Sequence, residues 1–179
     1  MRRTILLLAS MALTLLVASG VVWAATMVGT NGDDHLIGTN RSDKLDGRGG
    51  VDWIQARGGK DVILGGRGND GQGNEGGRGL YGGSEDDDMS GGPGRDYVFG
   101  GGGADVLKGG NDNDWVDAQE SIEQGVDRLR GDRGNDFLTA FNRNARRDYV
   151  RCGAGRDRAI VDSKDIVADD CETIRVPNS

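Results

Sequence analysis

The hydrophobic residues of this chain fall into two regimes. From Ile5 to Val17 they form an uncharged run, preceded by Arg2 and Arg3 and followed by small residues around Val22, Trp23 and Ala24. This is the anatomy of a general secretory signal peptide. Cleavage is expected after Ala24, because a cut after Ala25 would put the bulky Trp23 at the third-last site. The uncharged run continues to Asn31, long enough to span a bilayer, so retention as an N-terminal anchor is the alternative outcome. Beyond it the apolar residues stand singly and in step. Leu36, Leu45, Ile54 and Ile63 are nine residues apart, as are Met89, Val98, Leu107 and Val116. One inward residue between two that face water is the alternation of a very short strand. The spacing therefore predicts a series of three-residue strands, each burying one side chain over a thin core.

Aspartate keeps the same time, two residues ahead of each apolar position. Asp34, Asp43, Asp52, Asp61 and Asp70 are nine apart, and so are Asp87, Asp96, Asp105 and Asp114. Glycines precede each of them, most cleanly in Gly91 to Phe99 (GGPGRDYVF), Gly100 to Lys108 (GGGGADVLK) and Gly109 to Asp117 (GGNDNDWVD). After an insertion near residues 118–121 the beat resumes at Asp127 and Asp136, and after another near 140–142 at Asp148 and Asp157. Fourteen units can be laid out if Arg78 fills the sixth slot and the fifth unit is one residue short, with Gln72 at its core position. Self-similarity at a fixed period signals a repeat architecture.

These units resemble the haemolysin-type, or RTX, nonapeptide GGxGxDxUx over roughly Gly29 to Ile160. The resemblance implies that the first six residues of a unit form a calcium-holding turn and the last three a strand. Two units would then close one coil of about 18 residues in an all-β, right-handed parallel β-roll, a β-solenoid. The expected organisation is a signal peptide at 1–24, the roll at 25–160, irregular near 65–81, 118–121 and 140–142, and a C-terminal cap at 161–179. Calcium takes six to eight oxygen ligands. Glycine-rich turns can converge backbone carbonyls without a Cβ in the way, and the aspartates add charge. The metal candidates are thus Asp34, Asp43, Asp52, Asp61, Asp70, Asp87, Asp96, Asp105, Asp114, Asp127, Asp136, Asp148 and Asp157. Alternating sides should stack Asp34 over Asp52 and Asp43 over Asp61, with each ion between two turns. Units one and two depart from the pattern, with Thr30 and Thr39 in place of the second glycine, and the units after Ser121 lack most glycines. The competing reading is that Gly and Asp merely make turns; it leaves the nine-residue phase without a cause.

Composition agrees with a turn-rich solenoid and excludes other classes. There are 33 glycines but only 2 prolines, which excludes collagen. Of 29 acidic residues, 24 are aspartate, the poorer helix former, which argues against a helical bundle. Net charge is -7, and losing Arg2 and Arg3 takes it to -9. Nucleic acid, which needs clustered Lys and Arg, is not an expected partner.

Cys152 and Cys171, the only cysteines, lie 19 residues apart, within one residue of a full coil. In an exported chain that spacing suits a disulfide between adjacent rungs, clamping the C-terminal coil; two free thiols are the alternative. Zinc lacks partners, since His35 is the only histidine and falls at an outward position. No Ser-His-Asp set, HExxH, GxSxG or GxxxxGK[ST] can be found. Trp53, Tyr97, Trp115, Phe137 and Tyr149 all fall at the outward seventh position, as sheet cover or as a stripe for sugar or a partner surface.

The leading expectation is a secreted, extracellular, non-enzymatic calcium-binding repeat protein whose Asp/Gly turns bind Ca2+ ions that drive and stabilise folding, with no membrane span in the mature chain. A second is a calcium-dependent adhesion or glycan-binding module with a cell-surface partner. A third, an RTX-type hydrolase or toxin fragment, ranks below both because the thin roll leaves little room for a catalytic pocket.

Overall fold

The structure is a computed structural model that describes residues 24–71, 78–118, 125–142 and 146–177. The expected signal peptide lies outside the described residues except for Ala24. Sixteen strands alternate between two sheets. One holds β1 (Thr26–Val28), β3 (Lys44–Asp46), β5 (Val62–Leu64), β7 (Asp88–Pro93), β9 (Val106–Asn111), β11 (Arg128–Arg133), β13 (Tyr149–Ala154) and β15 (Ile166–Val167). The other holds β2 (His35–Ile37), β4 (Trp53–Gly58), β6 (Leu80–Ser84), β8 (Tyr97–Gly102), β10 (Trp115–Asp117), β12 (Phe137–Thr139), β14 (Arg158–Ile160) and β16 (Thr173–Arg175). Every pairing is parallel and joins a strand to the one two places on in sequence. The chain is an all-β parallel β-solenoid of about eight turns, about 18 residues per turn. No helix among the described residues is long and apolar enough to cross a membrane.

The register follows the hydrophobic beat. Leu45 stacks on Ile63, Ile63 on Met89, and Met89 on Leu107 in one sheet. In the other, Leu36 stacks on Ile54, and Val98 on Val116. All of these are buried. A second inward position was invisible in the sequence because glycine usually fills it. It shows where a side chain is present: Ala56, Ala118, Ala140, Cys152 and Val161, each the first residue of a unit, all join the core.

The unit layout needs one correction. Leu80 pairs with Ile54 on one side and Val98 on the other, so it is the core residue of the coil that Asp70 begins. The segment from Asp70 to Asp87 is one unit with an eight-residue excess. Arg78 lies exposed within that excess and fills no repeat slot. Gln72 lies outside the described residues.

Candidate metal centre

The sixth residue of each unit sits at a corner of the roll, where the chain turns into the next strand. Its carboxylate turns inward, and Asp43, Asp52, Asp61, Asp70, Asp87, Asp96, Asp105, Asp114, Asp127, Asp136, Asp148 and Asp157 are all at most 3% exposed. Their hydrogen bonds form two unbroken columns. Along one, the backbone N–H of Asp34 donates to Oδ1 of Asp52, Asp52 to Asp70, Asp70 to Asp96, Asp96 to Asp114, Asp114 to Asp136 and Asp136 to Asp157, all at 2.8 to 2.9 Å. Along the other, Asp43 donates to Asp61, Asp61 to Asp87, Asp87 to Asp105, Asp105 to Asp127, Asp127 to Asp148 and Asp148 to Asp165, at 2.7 to 3.0 Å. The insertions lengthen the step from 18 residues to 26, 22 or 21 without breaking either column. Each peptide N–H thereby fixes the carboxylate of the next coil.

That leaves the second oxygen. Oδ2 of Asp52, Asp61, Asp70, Asp87, Asp96, Asp105, Asp114, Asp136 and Asp157 is buried without a hydrogen-bond donor. At several of them a backbone carbonyl of the next coil lies close by. A β-carbon on Gly47, Gly65, Gly82 or Gly91 would collide both with Oδ2 of the aspartate five residues on and with the carbonyl oxygen of Gly65, Gly91, Gly100 or Gly109, respectively, in the next coil. Glycine at the first position thus keeps open a space onto which a carboxylate oxygen and a carbonyl oxygen from successive coils converge.

Two acceptors facing each other out of water need a positive partner, a proton or a cation. The protonation equilibria register this. Burial pushes the Asp114 carboxyl up to about 9, with the neighbouring charges of Asp96, Asp136 and Asp112 adding to the effect. Asp87 and Asp96 rise to about 8 and Asp52 to about 7, again chiefly through desolvation. Asp61, Asp70, Asp105 and Asp136 rise to about 6, and Asp157 also moves upward. Among the described residues no three His, Cys, Asp or Glu side chains converge as a metal cluster. A donor set of isolated carboxylate oxygens with backbone carbonyls fits a hard cation such as calcium and does not fit zinc.

Several residues depart from this pattern. Asp34 and Asp43 have their Oδ2 atoms bonded by the backbone N–H and hydroxyl of Thr30 and Thr39. Oδ2 of Asp148 accepts from Nδ2 of Asn142 at 2.9 Å. Asp165 and Glu172, absent from the nine-residue beat, continue the two columns, Glu172 by accepting the N–H of Asp157 at 2.8 Å. Position five carries an outer ladder that the glycine pattern obscured: Asn69 Oδ1 accepts from Arg95 N–H, Asn113 from Asn135 and Asn135 from Arg156. The recurrence of Asn or Asp before the ladder aspartate is the signal that could have found it.

The remaining singled-out residues lie away from the columns. Cys152 and Cys171 form a disulfide, with their Cα atoms 5.1 Å apart. The sheet of even-numbered strands carries an aromatic face. His35 stacks on Trp53 with ring centroids 4.0 Å apart, Tyr81 on Phe99 at 4.8 Å, and Trp115 meets Phe137 edge-on at 5.0 Å. Tyr149 stands apart from this stripe on β13, where the Arg128 guanidinium lies 5.5 Å from its ring.

No curated protein and no solved structure matches the chain. A family model does. The RTX calcium-binding nonapeptide repeat matches in four copies, at residues 28–56, 37–71, 81–116 and 123–142, together more than half of the 179 residues. The repeat, the parallel roll and the paired aspartate columns agree, and the chain belongs to the RTX calcium-binding nonapeptide repeat family.

Proposed function

We propose that this is an exported protein without catalytic activity of its own, in which calcium held along the two aspartate columns drives and stabilises folding of the roll. The observation that carries this reading is the row of buried Oδ2 atoms without donors, which at Asp52, Asp70, Asp87, Asp96 and Asp136 converge with a carbonyl of the next coil. Asp52, Asp61, Asp70, Asp87, Asp96, Asp105, Asp114, Asp136 and Asp157 would hold the ions, with first-position carbonyls such as those of Gly65, Gly91, Gly100 and Gly109 as neutral ligands. A bound divalent cation supplies charge neutralisation and a bridge between successive coils. The chain supplies the rest: glycines leave the space, and peptide N–H groups aim each carboxylate.

One large inward side chain per unit buries little apolar surface against the entropy of a glycine-rich chain. Binding that occurs only to stacked turns is folding free energy, and extracellular calcium modules bind at about 10⁻⁴ to 10⁻³ M. The chain would stay loose where calcium is scarce and order outside the cell. The test is calcium titration by calorimetry, with far-UV circular dichroism in excess chelator and then in millimolar calcium. Heat uptake with a gain of β signal supports the proposal, whereas identical spectra and melting temperatures in both conditions refute calcium-coupled folding.

The aromatic face supports a second reading, a calcium-dependent glycan-binding or adhesion module. Trp115, 40% exposed, and the Tyr81–Phe99 stack present flat rings on one sheet, a geometry suited to the apolar faces of sugars. Glycan binding lost on Trp115→Ala, with calcium stoichiometry unchanged, would favour it.

A further inference from the structure

The aspartate columns are not uniform along their length, and the difference lies at the ends. In the interior, Oδ2 of Asp52, Asp61, Asp70, Asp87, Asp96, Asp105, Asp114 and Asp136 lacks a donor. At the N-terminal end, Asp34 Oδ2 accepts from the N–H and hydroxyl of Thr30 at 2.6 and 3.0 Å, and Asp43 Oδ2 accepts from the same groups of Thr39 at 2.5 and 3.0 Å. Near the C-terminal end, Asp148 Oδ2 accepts from Asn142 and Asp165 Oδ2 from the backbone N–H of Asp162, at 2.9 and 2.8 Å.

The backbone explains how the threonines do this. Interior second positions have positive φ, as at Gly66, Gly83, Gly92, Gly101 and Gly110, and even at Arg48 (φ 70) and Arg57 (φ 84). Thr30 and Thr39 do not, in keeping with the cost of that conformation for a β-branched residue. Held at negative φ, the threonine offers its own N–H to Oδ2, and its hydroxyl adds a second donor. Two donors satisfy the oxygen and fill the space in front of it.

We infer that the cation-binding part of the roll is bounded by hydrogen-bonded caps: Thr30 and Thr39 at the N-terminal end of the two columns, and Asn142 and the Asp162 peptide at the C-terminal end of the column that starts at Asp43, stand where the interior uses an ion. Asp34, Asp43, Asp148 and Asp165 then bind no calcium, although three of them keep the repeat's spacing. The Asp34, Asp43 and Asp148 corners are thus held by protein groups, whereas Asp157, whose Oδ2 has no donor, stays in the calcium-binding set. This inference rests on the calcium reading of the interior columns, and it adds which aspartates are excluded from it.

The test counts calcium per full-length chain by equilibrium dialysis at saturating millimolar calcium. Asp96→Asn should lower the count relative to the unaltered chain, whereas Asp43→Asn should leave it unchanged. Because Asp43→Asn also disturbs the Thr39 hydrogen bonds, a gain-of-site variant runs beside it. Thr39→Gly restores the repeat's second glycine, permits positive φ and should add about one calcium ion per chain. A fall in count with Asp43→Asn equal to that with Asp96→Asn, or no gain with Thr39→Gly, overturns the end caps while leaving the calcium reading intact. A chain that binds no calcium overturns both.

Discussion

At the scale of single residues, the second position of the unit shows how backbone conformation decides what a carboxylate meets. At positive φ the second-position N–H donates to the next coil, as Gly66 to the Gly91 carbonyl and Gly101 to that of Ala118, whereas at Thr30 and Thr39, which lack positive φ, it donates to Oδ2. Arg57 is held at φ 84 because its backbone stacks in register with Gly83, itself at φ 117. A left-handed residue with a Cβ costs about 1 to 2 kcal/mol, and glycine returns part of that through its looser unfolded chain. Arg57 is exposed, so little packing is lost with its side chain. Arg57→Gly should therefore stabilise the roll by about 0.5 to 1 kcal/mol, read as a melting temperature about 2 °C higher at fixed calcium. A lower melting temperature would mean that the guanidinium makes a contact worth more than the strain.

At the scale of elements, the nine-residue beat made nearly every strand legible, because one buried residue per strand fixes register wherever one face is buried. It failed where spacing imitated a unit. An eight-residue excess between Asp70 and Asp87 looks like a repeat one residue short, and only the pairing of Leu80 with Ile54 and Val98 reveals an insertion. Arg78→Asp should accordingly leave calcium stoichiometry unchanged; a gain of one ion would restore the sixth unit. Asp165 and Glu172 escaped the sequence reading for the converse reason. They hold their places by hydrogen bonds to Asp148 and Asp157, at separations of 17 and 15 that keep no beat. The inward first position was hidden because glycine has no side chain to betray its direction. The last of the sixteen strands, β16, exposes all three of its residues and, among the described residues, pairs only with β14, so burial alone holds it weakly. The Cys152–Cys171 bridge closes a loop of 19 residues onto the buried β13 position, a closure that contributes about 3 kcal/mol in the chain-entropy model. The double substitution Cys152→Ser, Cys171→Ser should raise amide exchange in Thr173–Arg175 well before β7 to β9 are affected. Uniform protection in both forms would show that the clamp is dispensable.

At the scale of the whole molecule, the stacked carboxyls make the metal-free roll a proton sink. Asp114, Asp87 and Asp96 titrate at about 9, 8 and 8, against 3.8 as the ordinary value. A group whose folded pKa is raised binds more protons folded than unfolded, so its stabilising contribution is complete below the unfolded value and disappears as pH rises through the folded one. For these carboxyls the window runs from about 4 to about 9. In chelator the residual β signal should therefore be greatest near pH 5 and decline toward pH 8, the reverse of the acid denaturation expected where native carboxylates are salt-bridged. Protons neutralise the same columns that calcium would, with one difference: a proton on Oδ2 satisfies a single carboxylate and bridges nothing beyond the nearest carbonyl. Calcium and protons must consequently compete, so calcium affinity should rise over this pH range and calcium binding at pH 7 should release protons. Calorimetry in two buffers of different ionisation enthalpy measures that release directly. Equal heats in the two buffers, together with a β signal in chelator that does not change between pH 5 and pH 8, would show that the columns stay ionised without calcium and that charge repulsion, not protonation, governs the metal-free chain.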